Sequence, residues 1–228
     1  MSVPQVAIEP PAATEGTAEI GFLIPRNLFQ NELGPLLKEL GVINRILRAF
    51  SEAATGASQP IVVRDISTTD PLFFFGLDPV TIATLGGVVA WALSQWKKVE
   101  EIRKLRSETQ KNNLFVEDEI KAFFDSKIES MIKKAVEDKV QEIVSNLSGT
   151  PRLNEQRNDL RWALESLLAR IERGMTVEVR VLPPKESDGG PQAKAFADIK
   201  QAIPQLVFPT PETTPVLRLP PAEPPKAE

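Results

Sequence analysis

The stretch LFFFGLDPVTIATLGGVVAWALSQWKK, Leu72–Lys98, decides how this chain can fold. Its second part, Pro79 to Trp96, has eighteen residues without one charge, and three consecutive phenylalanines come before it. Asp78 followed by Pro79 predicts a helix start, because the carboxylate can accept free amide protons of the first turn and proline fits there. The apolar segment must therefore be covered by the rest of the chain, by a partner chain or by lipid.

Long helices are predicted from this segment onward. One spans about 79–112 and is apolar on nearly all faces in its first half, and a second spans about 116–147 with one apolar stripe. Lys97–Lys111 carries a net charge of +3 and Glu117–Glu142 one of −3, which favours an antiparallel helical hairpin with coiled-coil packing. A third helix is predicted over about 151–173, and Pro35 opens an earlier one that ends at Gly56.

Short strands complete the predicted fold. Apolar alternation and β-branched residues indicate strands over about 19–24, 61–66 and 175–182. Because such strands are unstable separately, we expect one small sheet of three or four strands with helices on its apolar face. The sequence therefore predicts an α+β fold dominated by helix, in a single domain over 17–203. Proline-rich composition predicts disordered tails over 1–16 and 204–228.

The composition argues against several classes of chemistry. The chain contains no His, no Cys and no Tyr, which removes imidazole and thiolate chemistry. Its 27 basic and 31 acidic residues leave a net charge of −4, without a basic field for nucleic acid. Asp65, Asp70 and Asp78 could form a carboxylate site, but turn or cap roles for Asp70 and Asp78, and a solvent-facing strand position for Asp65, explain them better. We therefore expect no enzyme activity, cofactor, metal or small-molecule substrate.

The C-terminal tail contains a short recognition pattern. Arg218-Leu219-Pro220-Pro221-Ala222-Glu223-Pro224 matches the +xxPxxP form of polyproline ligands. Such matches arise easily in a segment so rich in proline, and a spacer is the favoured interpretation.

The apolar segment also determines the expected function. We interpret it as core plus oligomer interface, because the Gly86-Gly87 pair lets helices approach closely. The hypothesis is a scaffold or adaptor that self-associates or binds a protein partner, in the cytoplasm, since the absence of Cys fits a reducing compartment. The alternative is a membrane-inserting or membrane-anchored protein with Lys97 and Lys98 at the headgroups. In both interpretations the contact residues are Phe73, Phe74, Phe75, Leu85, Val88, Val89, Trp91, Leu93 and Trp96.

Overall fold

The computed structural model describes residues 16–67, 71–111, 117–145, 152–182, 190–211 and 215–221. The fold is α+β and dominated by helix, as the sequence predicts. Its elements in chain order are β1 (Thr17–Leu23), α1 (Arg26–Phe29), α2 (Leu33–Thr55), β2 (Val62–Ile66), β3 (Leu72–Leu77), α3 (Pro79–Lys111), α4 (Glu117–Ser145), α5 (Leu153–Glu172), β4 (Thr176–Leu182), α6 (Pro191–Ala202) and a 3₁₀ turn (Ile203–Gln205).

The sheet is antiparallel and has the strand order β2-β3-β1-β4. In β1, Ala18, Ile20 and Phe22 point to one face and are buried, as the apolar alternation predicts. On that face β1 and β4 pack against α3, and β4 also packs against α6. The helices therefore cover the inner face of the sheet at β1 and β4.

The phenylalanine run is the strand β3, which the sequence analysis did not identify. Phe75 lies opposite Ile20 of β1, and Phe73 lies opposite Phe22, so both face the helices. Phe74 points to the outer face, where it is fully buried beneath the guanidinium of Arg180, 3.4 Å from the ring centroid. Because phenylalanine side chains lie on both faces of β3, its sequence lacks the alternation of apolar and polar residues by which strands are recognised.

The four long helices pack in a cycle in which α2 contacts α3, α3 contacts α4, α4 contacts α5 and α5 contacts α2. A further helix, α6, packs on α3, and its residue Ala202 lies close to Gly86 of α3. The first half of α3 is thereby surrounded by other elements of its own chain. Asp78 caps this helix, because its Oδ1 accepts the Val80 amide at 2.8 Å, as predicted.

The proline-rich C-terminal part differs from the predicted disordered tail in residues 204–211 and 215–221. Leu206, Phe208, Val216 and Leu217 pack against the main core. Pro211 lies against Gly174, whose φ of 98° and missing Cβ leave room for it. Proline removes amide donors and opposes helix formation, but it does not prevent an extended segment from packing on helices. In the predicted N-terminal tail the structure describes Gly16, whose amide donates to the carbonyl of Leu182 at 2.7 Å. The remaining residues predicted as tail lie outside the described part of the chain.

Candidate protein-interaction surface

The residues predicted as a contact surface lie mostly inside the protein. Seven of them are buried in the chain's own interior: Phe74, Phe75, Leu85, Val88, Val89, Leu93 and Trp96. Phe73 and Trp91 are half-buried, and Lys97 and Lys98 are exposed. In this conformation the buried seven cannot reach a partner chain or lipid. A contact role would require Arg180 to move away from Phe74, and the helices to separate for the other six.

A partly open stripe remains along α3. Gly87 and Ser94 are exposed on it and Thr84 and Trp91 are half-buried, which places all four on one side of the helix. They line a groove of about 820 Å³ whose walls come from the ends of α2, α4 and α6. On its rim Lys139 donates to Glu142 at 2.6 Å, so this charged pair is satisfied within the chain.

The helical hairpin of α3 and α4 is present and carries one of the expected ion pairs. Arg106 lies 3.8 Å from Asp125 across the hairpin. Arg103 instead reaches α5, where it donates to the carboxylate of Glu172 at 2.8 Å. Basic residues of α3 are therefore partly used in ion pairs within the chain.

Strand β2 is the most exposed apolar element of the sheet. Val62, Val63 and Ile66 are 46%, 54% and 53% exposed. The strand lies at one edge of the sheet, and beyond β3 it has no further strand partner in the part of the chain that the structure describes. An edge strand of this kind offers free backbone donors and acceptors together with apolar side chains.

A β-bulge shapes this edge. The register against β3 shifts between Val63 and Asp65, so that Val63 lies opposite Phe75 and Asp65 lies opposite Phe74. Arg64 packs over Gly76 on the outer face, where a Cβ would lie 2.5 Å from its Nε. Arg64 and Asp65 therefore both lie on the outer face of the sheet, and Val63 and Ile66, on either side of them in the chain, lie on the inner face.

The carboxylates considered for chemistry have structural roles. Asp65 accepts a bond from Arg180 at 3.2 Å, and Asp78 is the cap of α3. Asp70 lies outside the described residues. Across the described ranges, no group of three or more metal-ligating side chains is placed to hold an ion. The cap interpretation therefore accounts for Asp78, and Asp65 lies on its strand as an exposed partner of Arg180.

The C-terminal end of α5 carries a buried charge network. Glu39 of α2 accepts two bonds from Arg170, at 2.7 and 3.1 Å, although both side chains are almost fully buried. One turn away, burial lowers the pKa of the Arg173 guanidinium, which donates to the carbonyls of Ala169 and Leu217. The network fixes α5 against α2 and presents hydrogen-bonding groups to the C-terminal segment.

That segment, residues 215–221, lies along α5 and is held by its main chain. The amides of Val216 and Leu217 donate to the two oxygens of Glu172, at 2.8 and 2.9 Å. At the other end of the segment, the indole Nε1 of Trp162 donates to the carbonyl of Pro221 at 2.7 Å. Pro221 belongs to the recognition pattern noted in the sequence, but its partner Trp162 and the pairing of Glu172 with residues 216 and 217 were not predicted, because the partners lie about 45 to 60 residues apart.

Comparison with known proteins does not assign a family. No family model, no curated protein and no solved structure matches the chain. Within the described residues, no helix combines the length and the apolar character needed to cross a bilayer.

Proposed function

We propose that this chain is a non-enzymatic assembly protein of the cytoplasm, a scaffold or adaptor whose copies associate through strand β2. The observation that carries the proposal is the half-exposed set Val62, Val63 and Ile66 on a free sheet edge. Pairing of two such edges would join the two sheets into one and cover both sets of side chains.

The sequence of β2 is complementary to itself. A two-fold axis between Arg64 and Asp65 places Arg64 of one copy opposite Asp65 of the partner, and Val63 opposite Ile66 of the partner. The bulge makes this register consistent, since it turns both charges to the outer face and both apolar residues to the inner face. Opposite charges and apolar pairs across strands each contribute about 0.2–1 kcal/mol.

The expected affinity is moderate. Covering the exposed half of three aliphatic side chains on each copy stabilises the dimer by at most about 5–9 kcal/mol. Association costs about 4–15 kcal/mol in lost freedom. Backbone hydrogen bonds between the strands add about 0.5–1.5 kcal/mol each. A Kd on the order of micromolar, or about 8 kcal/mol, lies within the range that these terms allow.

Charge reversal tests the register directly. Arg64→Asp alone would place two carboxylates opposite each other, and Asp65→Arg alone would place two guanidinium groups there. We expect sedimentation velocity to show each variant as a monomer, and their equimolar mixture as a dimer, because the mixed pair restores attraction. Leu37→Lys, at an exposed site on α2, is the matched control and should leave the dimer intact.

Two outcomes would contradict the proposal. One is a strictly monomeric wild-type chain at a concentration on the order of 100 µM, well above such a Kd. The other is a mixture of the two charge variants that associates no more than either variant alone. Circular dichroism of each variant, measured beside the wild type, checks that its fold is retained.

A further inference from the structure

The receptor for the C-terminal segment is built independently of that segment. The Glu172 carboxylate is fully buried and is also held by Arg103 at 2.8 Å. The guanidinium of Arg45 lies 5.5 Å from the ring centroid of Trp162, which is buried when the segment is in place. Side chains fixed in this way lose little freedom when a peptide binds, which is a property of preorganised sites.

Two side chains of the segment, Val216 and Leu217, are half-buried and pack against the main core. Arg218 and Leu219 are exposed, and a groove of about 660 Å³ lies between residues 217–221 and the helices α4 and α5. The attachment of the segment therefore combines two partly covered apolar side chains with main-chain hydrogen bonds, each worth about 1.5–3 kcal/mol when one partner is charged. A segment attached in this way can leave without opening the core.

The spacing of the receptor groups fits an extended proline-containing peptide. Glu172 and Trp162 are separated by ten residues of α5, or about 15 Å. The segment bends at Val216 and Leu217, and the four steps from Leu217 to Pro221 span about 12 Å when they are extended in a polyproline conformation, a length that the two long side chains of the receptor can bridge. The indole of Trp162 needs only a carbonyl oxygen as its acceptor. Pro220 and Pro221 have no amide N–H, so no backbone donor is left unpaired beside the indole.

We propose that Glu172, Arg173 and Trp162 form a binding site for extended proline-containing peptides, filled in cis by residues 215–221 and open to the same segment of a second copy when the cis segment leaves. This site is distinct from the β2 edge and does not depend on it. It takes two consecutive amides at one end of the peptide and a prolyl carbonyl at the other. Exchange of the segment between copies would link chains without a change in their folds.

A full-length variant with an emptied site tests the proposal. Val216→Pro together with Leu217→Pro removes both amides that Glu172 accepts while keeping the chain length. The probe is a fluorescent peptide of residues 215–221, capped at both ends. By fluorescence anisotropy we expect the variant to bind it at least tenfold more tightly than the wild type, whose cis segment competes at high effective concentration.

Two matched controls identify the site. Adding Trp162→Phe to the variant removes the indole donor, and we expect at least a fivefold loss of peptide affinity. A peptide with proline in place of Val216 and Leu217 should not bind. The proposal is overturned if the variant does not bind the wild-type peptide, or if Trp162→Phe leaves the affinity unchanged.

A second measurement uses the wild-type chain and does not depend on the variant folding. Trypsin can cleave the bond after Arg218 only when the segment leaves the surface. The peptide carrying Arg218→Gln cannot be cleaved by trypsin. In excess it should occupy the site, keep the cis segment displaced and accelerate cleavage after Arg218 of the chain at least threefold. An unchanged cleavage rate at millimolar peptide would overturn the proposal.

Discussion

Gly21 of the central strand β1 should not tolerate a side chain. It lies opposite Phe74 of β3, and a methyl group built on it would lie 2.5, 2.8 and 2.9 Å from three carbons of that ring. The comfortable separation of two carbons is about 3.5–4.0 Å. The Gly21→Ala variant must therefore move the ring by about 1 Å relative to the strand.

The ring has little room to move. Arg180 covers its other face at 3.4 Å, and Phe74 is fully buried between the two. Overpacking of this kind costs about 1–3 kcal/mol of the free energy of unfolding. Because the ring is enclosed on both sides, we expect Gly21→Ala to lie in the upper half of that range, at about 2–3 kcal/mol. For a protein of this size such a loss lowers Tm by about 5–10 °C.

Urea unfolding followed by circular dichroism measures the free energy of unfolding for four chains. They are the wild type, Gly21→Ala, Phe74→Leu and the double variant. Removing the ring should relieve the clash, so we expect the two changes to couple by at least about 1 kcal/mol. Gly41→Ala, at an exposed position of α2 with open space around it, is the matched control and should stabilise slightly.

A loss below about 0.5 kcal/mol for Gly21→Ala would refute this reasoning, because that is the range of neutral surface changes. So would an equal cost of Gly21→Ala in the Phe74→Leu background, since the cost would then not come from the ring.

Two further substitutions probe α3 and α5. Val89→Asp places a carboxylate in the fully buried part of α3 and should abolish cooperative unfolding in urea. Gly87→Ala, two residues away and exposed, is the control and should raise the free energy of unfolding by about 0.5–1 kcal/mol. A folded but dissociated Val89→Asp chain would show instead that this face is an interface. Burial raises the pKa of Glu165, so above that pKa its charge opposes folding. Glu165→Gln should therefore raise Tm at neutral pH. The gain should shrink as the pH falls below the raised pKa and vanish below the ordinary pKa of glutamate; an equal gain at all pH values would contradict this.

Local patterns in the sequence predicted the elements whose cause is local. The Asp78-Pro79 pair marks the start of α3 because its effect lies within one turn. Likewise β4 follows from the alternation of apolar and polar residues between Met175 and Leu182. In both cases a window of a few residues contains all the interactions that matter.

Contacts between distant segments account for what the sequence did not predict. Phe74 is buried on the outer face only because Gly21 and Arg180 come from strands far away in the chain. Composition alone favoured a disordered C-terminal tail, yet Glu172 supplies acceptors that no local pattern around Val216 indicates. The covering of α3 by its own chain likewise depends on α6, which lies some hundred residues beyond its start.

The position of β1 between β3 and β4 has a consequence during synthesis. Ile20 can pair with Phe75 soon after β3 is made, but its other neighbour, Val179, is translated about a hundred residues later. At typical rates of about 5–20 residues per second, that interval lasts about 5–20 s. For this time the nascent chain carries an open strand edge able to join with neighbouring nascent chains on the same messenger. Ribosome spacing, and hence the strength of initiation, should therefore influence how much of the product is recovered in native form.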